Sequence, residues 1–162
     1  MVFRDIIIKT ILQLKPLMRE KGFDISKIFY RPEYIHKIPR LLVDRARLNQ
    51  VVFNVLMNAI KYAEDDPNRF AIRIEVDENR NFYIIKFKDW GIGVKKGLED
   101  KIFEAGFRAP EAIDKYVTGS GLGLKISRDI MRGLGGDLKL TSSYKPTEFG
   151  MMLPKTLREN KI

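Results

Sequence analysis

Residues 45–64, RARLNQVVFNVLMNAIKYAE, decide the fold. Arg47, Gln50, Asn54, Asn58 and Lys61 step by three or four, so they draw one polar stripe down about four turns of a helix. The other faces carry Leu48, Val51, Val52, Phe53, Val55, Leu56, Met57, Ala59 and Ile60, and Asp44 stands where a helix cap belongs. A merely solvated stripe would use Glu and Lys, which are good helix formers. Asn is poor inside a helix because its amide competes for backbone hydrogen bonds. Two Asn one turn apart on an otherwise apolar helix therefore point to the wall of a polar cavity. An amide oxygen is a neutral hard ligand suited to Mg²⁺, an ion that keeps most of its waters and shares itself with phosphates. Lys61, one turn further on, suits a phosphate.

Outward from this helix the chain alternates between periods. Toward the N-terminus, Ile7, Ile11, Leu14 and Met18 predict a helix over residues 5–21, with a kink at Pro16 and a stop at Gly22. Residues 23–31 and 39–43 read as short strands, which leaves His36 between them as a surface or edge residue. Toward the C-terminus, residues 70–77 and 82–88 alternate as a hairpin, residues 122–134 read as a helix, and residues 137–144 and 147–153 form a second hairpin. Residues 94–118 show no sustained period, and so long an irregular stretch inside a domain reads as a lid.

Eleven of the twelve glycines lie between residues 91 and 150, so the second half holds a site dominated by backbone. Asp89, Gly91 and Gly93 fall at the end of a predicted strand, where a carboxylate can be fixed while glycines let backbone approach a ligand. Gly119, Ser120, Gly121, Leu122, Gly123 and Leu124 run into a predicted helix, whose free N–H groups and dipole favour phosphate. Their spacing matches neither the dinucleotide fingerprint nor a P-loop.

Composition narrows the classes further. A chain of 162 residues that is 44% hydrophobic can build a core, and it contains no run long enough to span a membrane as a helix. Without Cys and with one His, it has neither a disulfide scaffold nor a multi-histidine metal site. The net charge of +9 is spread along the chain, with no run of more than two basic residues and no interleaved aromatics. Nucleic acid and membrane contact are not expected, and a cytoplasmic location is.

In this order the elements resemble the ATP-binding catalytic domain of sensor histidine kinases, in the superfamily that also holds DNA gyrase, heat-shock chaperone and mismatch-repair ATPases. Asn54, Asn58, Ala59, Lys61 and Tyr62 look like the N box, Asp89, Gly91 and Gly93 like the G1 box, Phe103 and Phe107 like the F box, and Gly119, Gly121 and Gly123 like the G2 box. The resemblance implies a two-layer α/β sandwich, a mixed sheet covered on one face by helices, over residues 1–154. It also implies a lid at about 94–118 and a tail at 155–162. It implies that Asn58 coordinates Mg²⁺, Asn54 supports the phosphate site, Lys61 contacts phosphate and Tyr62 lies near the adenine. Asp89 would accept from the adenine amino group and select ATP over GTP, and residues 119–123 would wrap the phosphates. Phe103 and Phe107 would be core anchors or lid-docking residues.

Hydrolysing members of the superfamily resemble one another in a Glu one turn before the metal-binding Asn. Asn54 stands there, and an amide cannot act as a general base, so phosphoryl transfer is favoured over hydrolysis. The implied partners are a histidine-bearing dimerisation domain of the same longer protein and a response regulator. His36, followed by Lys37, Ile38 and Pro39, does not resemble the family's phosphoacceptor. Trp90 departs from the family pattern at the edge of the G1 box, and Pro146 departs just before Thr147, which the resemblance counts among the nucleotide-binding residues. Lys95, Lys96, Arg108 and Lys115 read as a solvated lid surface. The alternatives are a serine kinase of the anti-sigma-factor type and a module that senses nucleotide without turnover.

Overall fold

The structure, a computed structural model, describes residues 1–109 and 120–159. A π-helical turn over Phe3–Ile8 runs directly into α1 (Lys9–Glu20), and Gly22 ends it at φ +76°. Ile7, Ile11, Leu14 and Met18 are all buried, as their spacing requires. After β1 (Ile28–Phe29) and α2 (Tyr34–Lys37) comes α3 (Arg45–Lys61). It starts where the Asp44 carboxylate accepts from the N–H groups of Ala46 and Arg47 at 2.9 and 3.2 Å. The hairpin β2 (Ile72–Glu78) and β3 (Phe82–Asp89), helix α4 (Gly123–Gly133), and the hairpin β4 (Asp137–Ser143) and β5 (Thr147–Pro154) complete the order.

The five strands form one mixed sheet in the order β1-β2-β3-β5-β4, with β1 parallel to β2 and the other pairs antiparallel. Alternation sends Ile72, Ile74, Val76, Ile85, Phe87, Met151 and Leu153 inward against Val52, Val55, Leu56 and Ile60 of α3. The other face is polar. There Lys88 lies 2.7 Å from Glu75 and 3.4 Å from Glu148, and Lys86 lies 3.2 Å from Asp77. These partly exposed pairs add little stability, but they keep that face wet and the helices on one side. The register sets Asp89, the last residue of β3, directly opposite Thr147, the first of β5.

Several expectations need correction. Residues 23–31 yield only the two-residue β1, because Asp24 accepts from the Ser26 N–H and starts a 3₁₀ turn over Ile25–Lys27 instead. Residues 39–43 are not a strand. Leu41 makes a single bridge to Arg158, and the Leu42 N–H donates to the Leu157 carbonyl at 2.8 Å. These contacts tie residues assigned to a tail onto the body. His36 lies on α2, exposed, rather than between two strands. Phe103 is the last residue of a short 3₁₀ turn, Lys101–Phe103, within the irregular stretch, while residues 110–119 lie outside the described part. Among the described residues no helix is long and apolar enough to cross a membrane.

Two substitutions test this packing. Asp44→Ala should cost about 1 kcal/mol in urea unfolding, the usual worth of an N-cap. Gly136→Ala should cost more, because a Cβ there would lie 1.9 Å from the Met152 carbonyl oxygen and β5 would have to shift.

Candidate nucleotide-binding site

A cavity of about 270 Å³ opens between α3, the end of β3, the start of β5 and the first turn of α4. That is near the lower end of ligand-site volumes, about 300–1,000 Å³. Met57, Asn58, Lys61 and Tyr62 line it from α3 and its C-cap, and Asp89, Ile92, Gly93 and Val94 from the loop after β3. Thr147 and Phe149 line it from β5, Ile102, Phe107 and Arg108 from the irregular stretch, and Ser120, Gly121, Gly123 and Leu124 from the approach to α4. The polar stripe of α3 thus runs from exposed Arg47 and Gln50 to half-buried Asn58 and Lys61 on the cavity wall.

A desolvated polar pair, Asp89 and Thr147, lines the cavity. Asp89 keeps some surface open to the cavity, yet protein crowds it so closely that desolvation raises its pKa to about 7, only partly opposed by the Gly91 N–H donated to it at 3.0 Å. Across the β3–β5 register, the buried Thr147 hydroxyl has no hydrogen-bond partner among the described residues. A buried hydroxyl left without a partner costs free energy and wants a ligand. Gly91 itself does not line the cavity. Its Cα lies against the backbone after α3, so a Cβ would meet the Tyr62 carbonyl at 2.3 Å, and the Ile92 N–H donates to that same carbonyl at 3.0 Å. Only glycine lets this turn press onto the end of α3 and fix Asp89 beside Thr147.

Two cations, Lys61 and Arg108, also line the cavity. Burial, and then the nearby positive charges of Arg108 and Lys21, lower the Lys61 pKa below the ordinary lysine value. Helix α4 begins with no side-chain cap, which leaves its first N–H groups without a side-chain acceptor, and Gly121, Gly123 and Leu124 at this helix start line the cavity. Gly121, at φ +68°, is packed on the root of the irregular stretch. A Cβ there would meet the Phe107 carbonyl at 2.8 Å, and its own carbonyl accepts from the Gly106 N–H at 3.1 Å.

The structure separates residues that the sequence grouped. Phe107 lines the cavity, but Phe103 does not. Its ring is buried edge-on to Phe149 at 6.3 Å and carries the Arg128 guanidinium 4.3 Å above its centre. Asn54 is absent from the wall because its amide is held by α4, and Leu122 points outward, 39% exposed. Trp90 does not touch the cavity and packs over Arg73. Gly119 lies outside the described residues. Arg108, read as solvated lid surface, instead joins the wall. No periodicity orients a side chain in that stretch, and the one available signal was its place directly after Phe107.

The fold is an α/β sandwich with a cavity lined by both polar and cationic side chains. Residues 43–157 match the family described as histidine kinase-, DNA gyrase B-, and HSP90-like ATPase, and the chain belongs to that family. It is similar to the sensor histidine kinase WalK of Bacillus subtilis, 31% identical over 110 residues that cover 65% of this chain and 18% of that protein. It is also similar to the autoinducer 2 sensor kinase/phosphatase LuxQ of Vibrio cholerae, 31% identical over 146 residues that cover 90% and 17%. The chain therefore spans less than a fifth of either relative's length. The fold matches the catalytic domain of the histidine kinase ThkA with a TM-score of 0.72, at 23% identity over 92% of this chain and 90% of that one. The mycobacterial sensor histidine kinase MprB matches with a TM-score of 0.66, at 23% identity over 91% and 94%. The chain corresponds to the catalytic ATP-binding domain of sensor histidine kinases, and its relatives do not favour the serine-kinase alternative.

The raised pKa of Asp89 gives a test without ligand. A carboxyl whose pKa rises from 3.8 to about 7 on folding binds more protons folded than unfolded between those values. Its contribution to stability is complete below the unfolded pKa and is lost as pH climbs through about 7, at up to about 1.4 kcal/mol per pH unit. Asp89→Asn should therefore be more stable than the wild type at pH 8 and not at pH 4, measured by urea unfolding. Parallel pH profiles would contradict the desolvated site.

Proposed function

We propose that the cavity takes Mg·ATP and that the domain transfers the γ-phosphoryl to a histidine on a separate dimerisation domain, for relay to an aspartate of a response regulator. The observation that supports this best is the polarity of the cavity. A desolvated carboxyl and a buried hydroxyl line it together with a lysine, an arginine and the start of α4. Adenine needs the carboxyl and the hydroxyl. Its amino group would donate to Asp89, and the Thr147 hydroxyl can both donate and accept. Guanine presents a carbonyl oxygen where adenine has the amino group, so two acceptors would face each other and GTP is rejected.

Phosphates suit the cations and the helix start. Lys61 and Arg108 would neutralise charge there, and the first N–H groups of α4 would meet oxygens with the favourable end of the helix dipole. Among the described residues no three acidic or histidine side chains gather to hold a metal. The Asn58 carboxamide would thus share Mg²⁺ with phosphate oxygens and water, as the ion prefers. When bound, Mg²⁺ neutralises charge that develops on the transferred group. The task of the chain is to position the phosphoryl and exclude water, and Asn54 offers no general base for hydrolysis. Such a catalytic domain works in the cytoplasm, whatever the rest of the protein does.

Calorimetric titration should show ATP binding in the presence of Mg²⁺ and no GTP binding. Asp89→Asn should abolish ATP binding, and Asn58→Ala should remove its Mg²⁺ dependence. Incubation with an isolated histidine-bearing hairpin and labelled ATP should yield acid-labile label on the hairpin. Binding without any such transfer would favour a nucleotide sensor over a kinase.

A further inference from the structure

The amide of Asn54 donates one hydrogen bond to the Gly123 carbonyl at 3.1 Å and another to the Ser127 hydroxyl at 3.0 Å. Ser127 is fully buried, and Asn54, with its amide held by α4, does not join the cavity wall. A carboxamide has two N–H bonds, and both are spent on α4, so none remains to donate to a phosphate. Both bonds end on the opening turns of α4, whose first residues Gly123 and Leu124 line the cavity. Gly123 also packs against Asn54 in ordinary contact, with its Cβ position 3.6 Å from the Asn54 carboxamide carbon.

We infer that Asn54 is a positioning residue: with Ser127 it forms a strut between α3 and the first turn of α4 that sets the phosphate-binding end of the cavity without touching the nucleotide. This inference rests on the proposed ATP site. It assigns Asn54 and Asn58, one turn apart, to different tasks. Asn58 faces the cavity, whereas Asn54 holds the opposite wall in place. A Glu or Asp at position 54 could not replace it, since a carboxylate would set its oxygens against the Gly123 carbonyl.

The test uses Asn54→Ala, Ser127→Ala and the double variant of the 162-residue chain, with two readouts. The first is amide hydrogen exchange by NMR without nucleotide. Each single substitution should speed exchange in the first turn of α4, and the double variant should be no faster than Asn54→Ala. Unchanged exchange in that turn, or additive effects, would overturn the strut. This readout stands even if the wild type fails to bind ATP, a result that would instead remove the proposed function. The second readout is binding of ATP and of adenosine, which reaches only the base end. Asn54→Ala should weaken ATP by about fivefold or more, the worth of about one net hydrogen bond, and leave adenosine within about twofold. Adding Ser127→Ala to it should change neither. Equal weakening of both ligands would overturn the positioning role, because it would mean general damage to the pocket. So would a Ser127→Ala variant with wild-type ATP affinity beside a weakened Asn54→Ala, since that would give Asn54 a direct contact instead.

Discussion

Helix α3 has to satisfy two solvents at once, and the domain is arranged around that demand. Its apolar faces supply much of the core against the sheet, which fixes the helix axis and rotation. The polar stripe must then fall along the seam between the sheet and α4, where it cannot be fully hydrated. Unsatisfied amides in such a seam are costly, so the stripe residues beyond exposed Arg47 and Gln50 take what the seam offers. Asn54 takes backbone and hydroxyl groups of α4. Asn58 and Lys61 take the cavity. The site is thus a consequence of where a helix with one polar stripe can be buried.

Sheet register does the same where the strands line the cavity. Pairing Asp89 with Thr147 brings a carboxyl and a hydroxyl together at the last rung between β3 and β5. Gly91 then folds the chain back onto the end of α3 closely enough to shut out water. Neither group is well satisfied among the described residues. A domain tolerates such a pair where a ligand completes it, which is why local cost and function coincide at this rung.

Much of this was legible in the sequence, and the limits have physical causes. The helix over 45–64 and both hairpins read clearly because each buries one face, and burial on one face prints a period. The Asn pair stood out because helix interiors seldom choose Asn without a reason. Residues 39–43 misled because an apolar run marks burial or edge position but does not say whether a partner strand is near. Asn54 was grouped with Asn58 since spacing along one helix shows a shared stripe, not which neighbour each residue meets. That depends on α4, seventy residues away. Arg108 was missed because an irregular segment has no period by which to tell inside from outside. Thr147 was expected at the site from the resemblance alone, and its rung opposite Asp89 supplies the physical reason that it lines the cavity.

The central claim is that one cavity reads a base at the Asp89 end and phosphates at the α4 end, with Asn54 holding the second end from behind. A crystal structure of the chain with Mg²⁺ and a non-hydrolysable ATP analogue tests it most directly. The account predicts the adenine amino group within hydrogen-bond distance of Asp89, phosphate oxygens against the first turn of α4, and the Asn54 amide still bound to Gly123 and Ser127. A nucleotide bound in the reverse sense, or an Asn54 amide turned onto a phosphate, would contradict it.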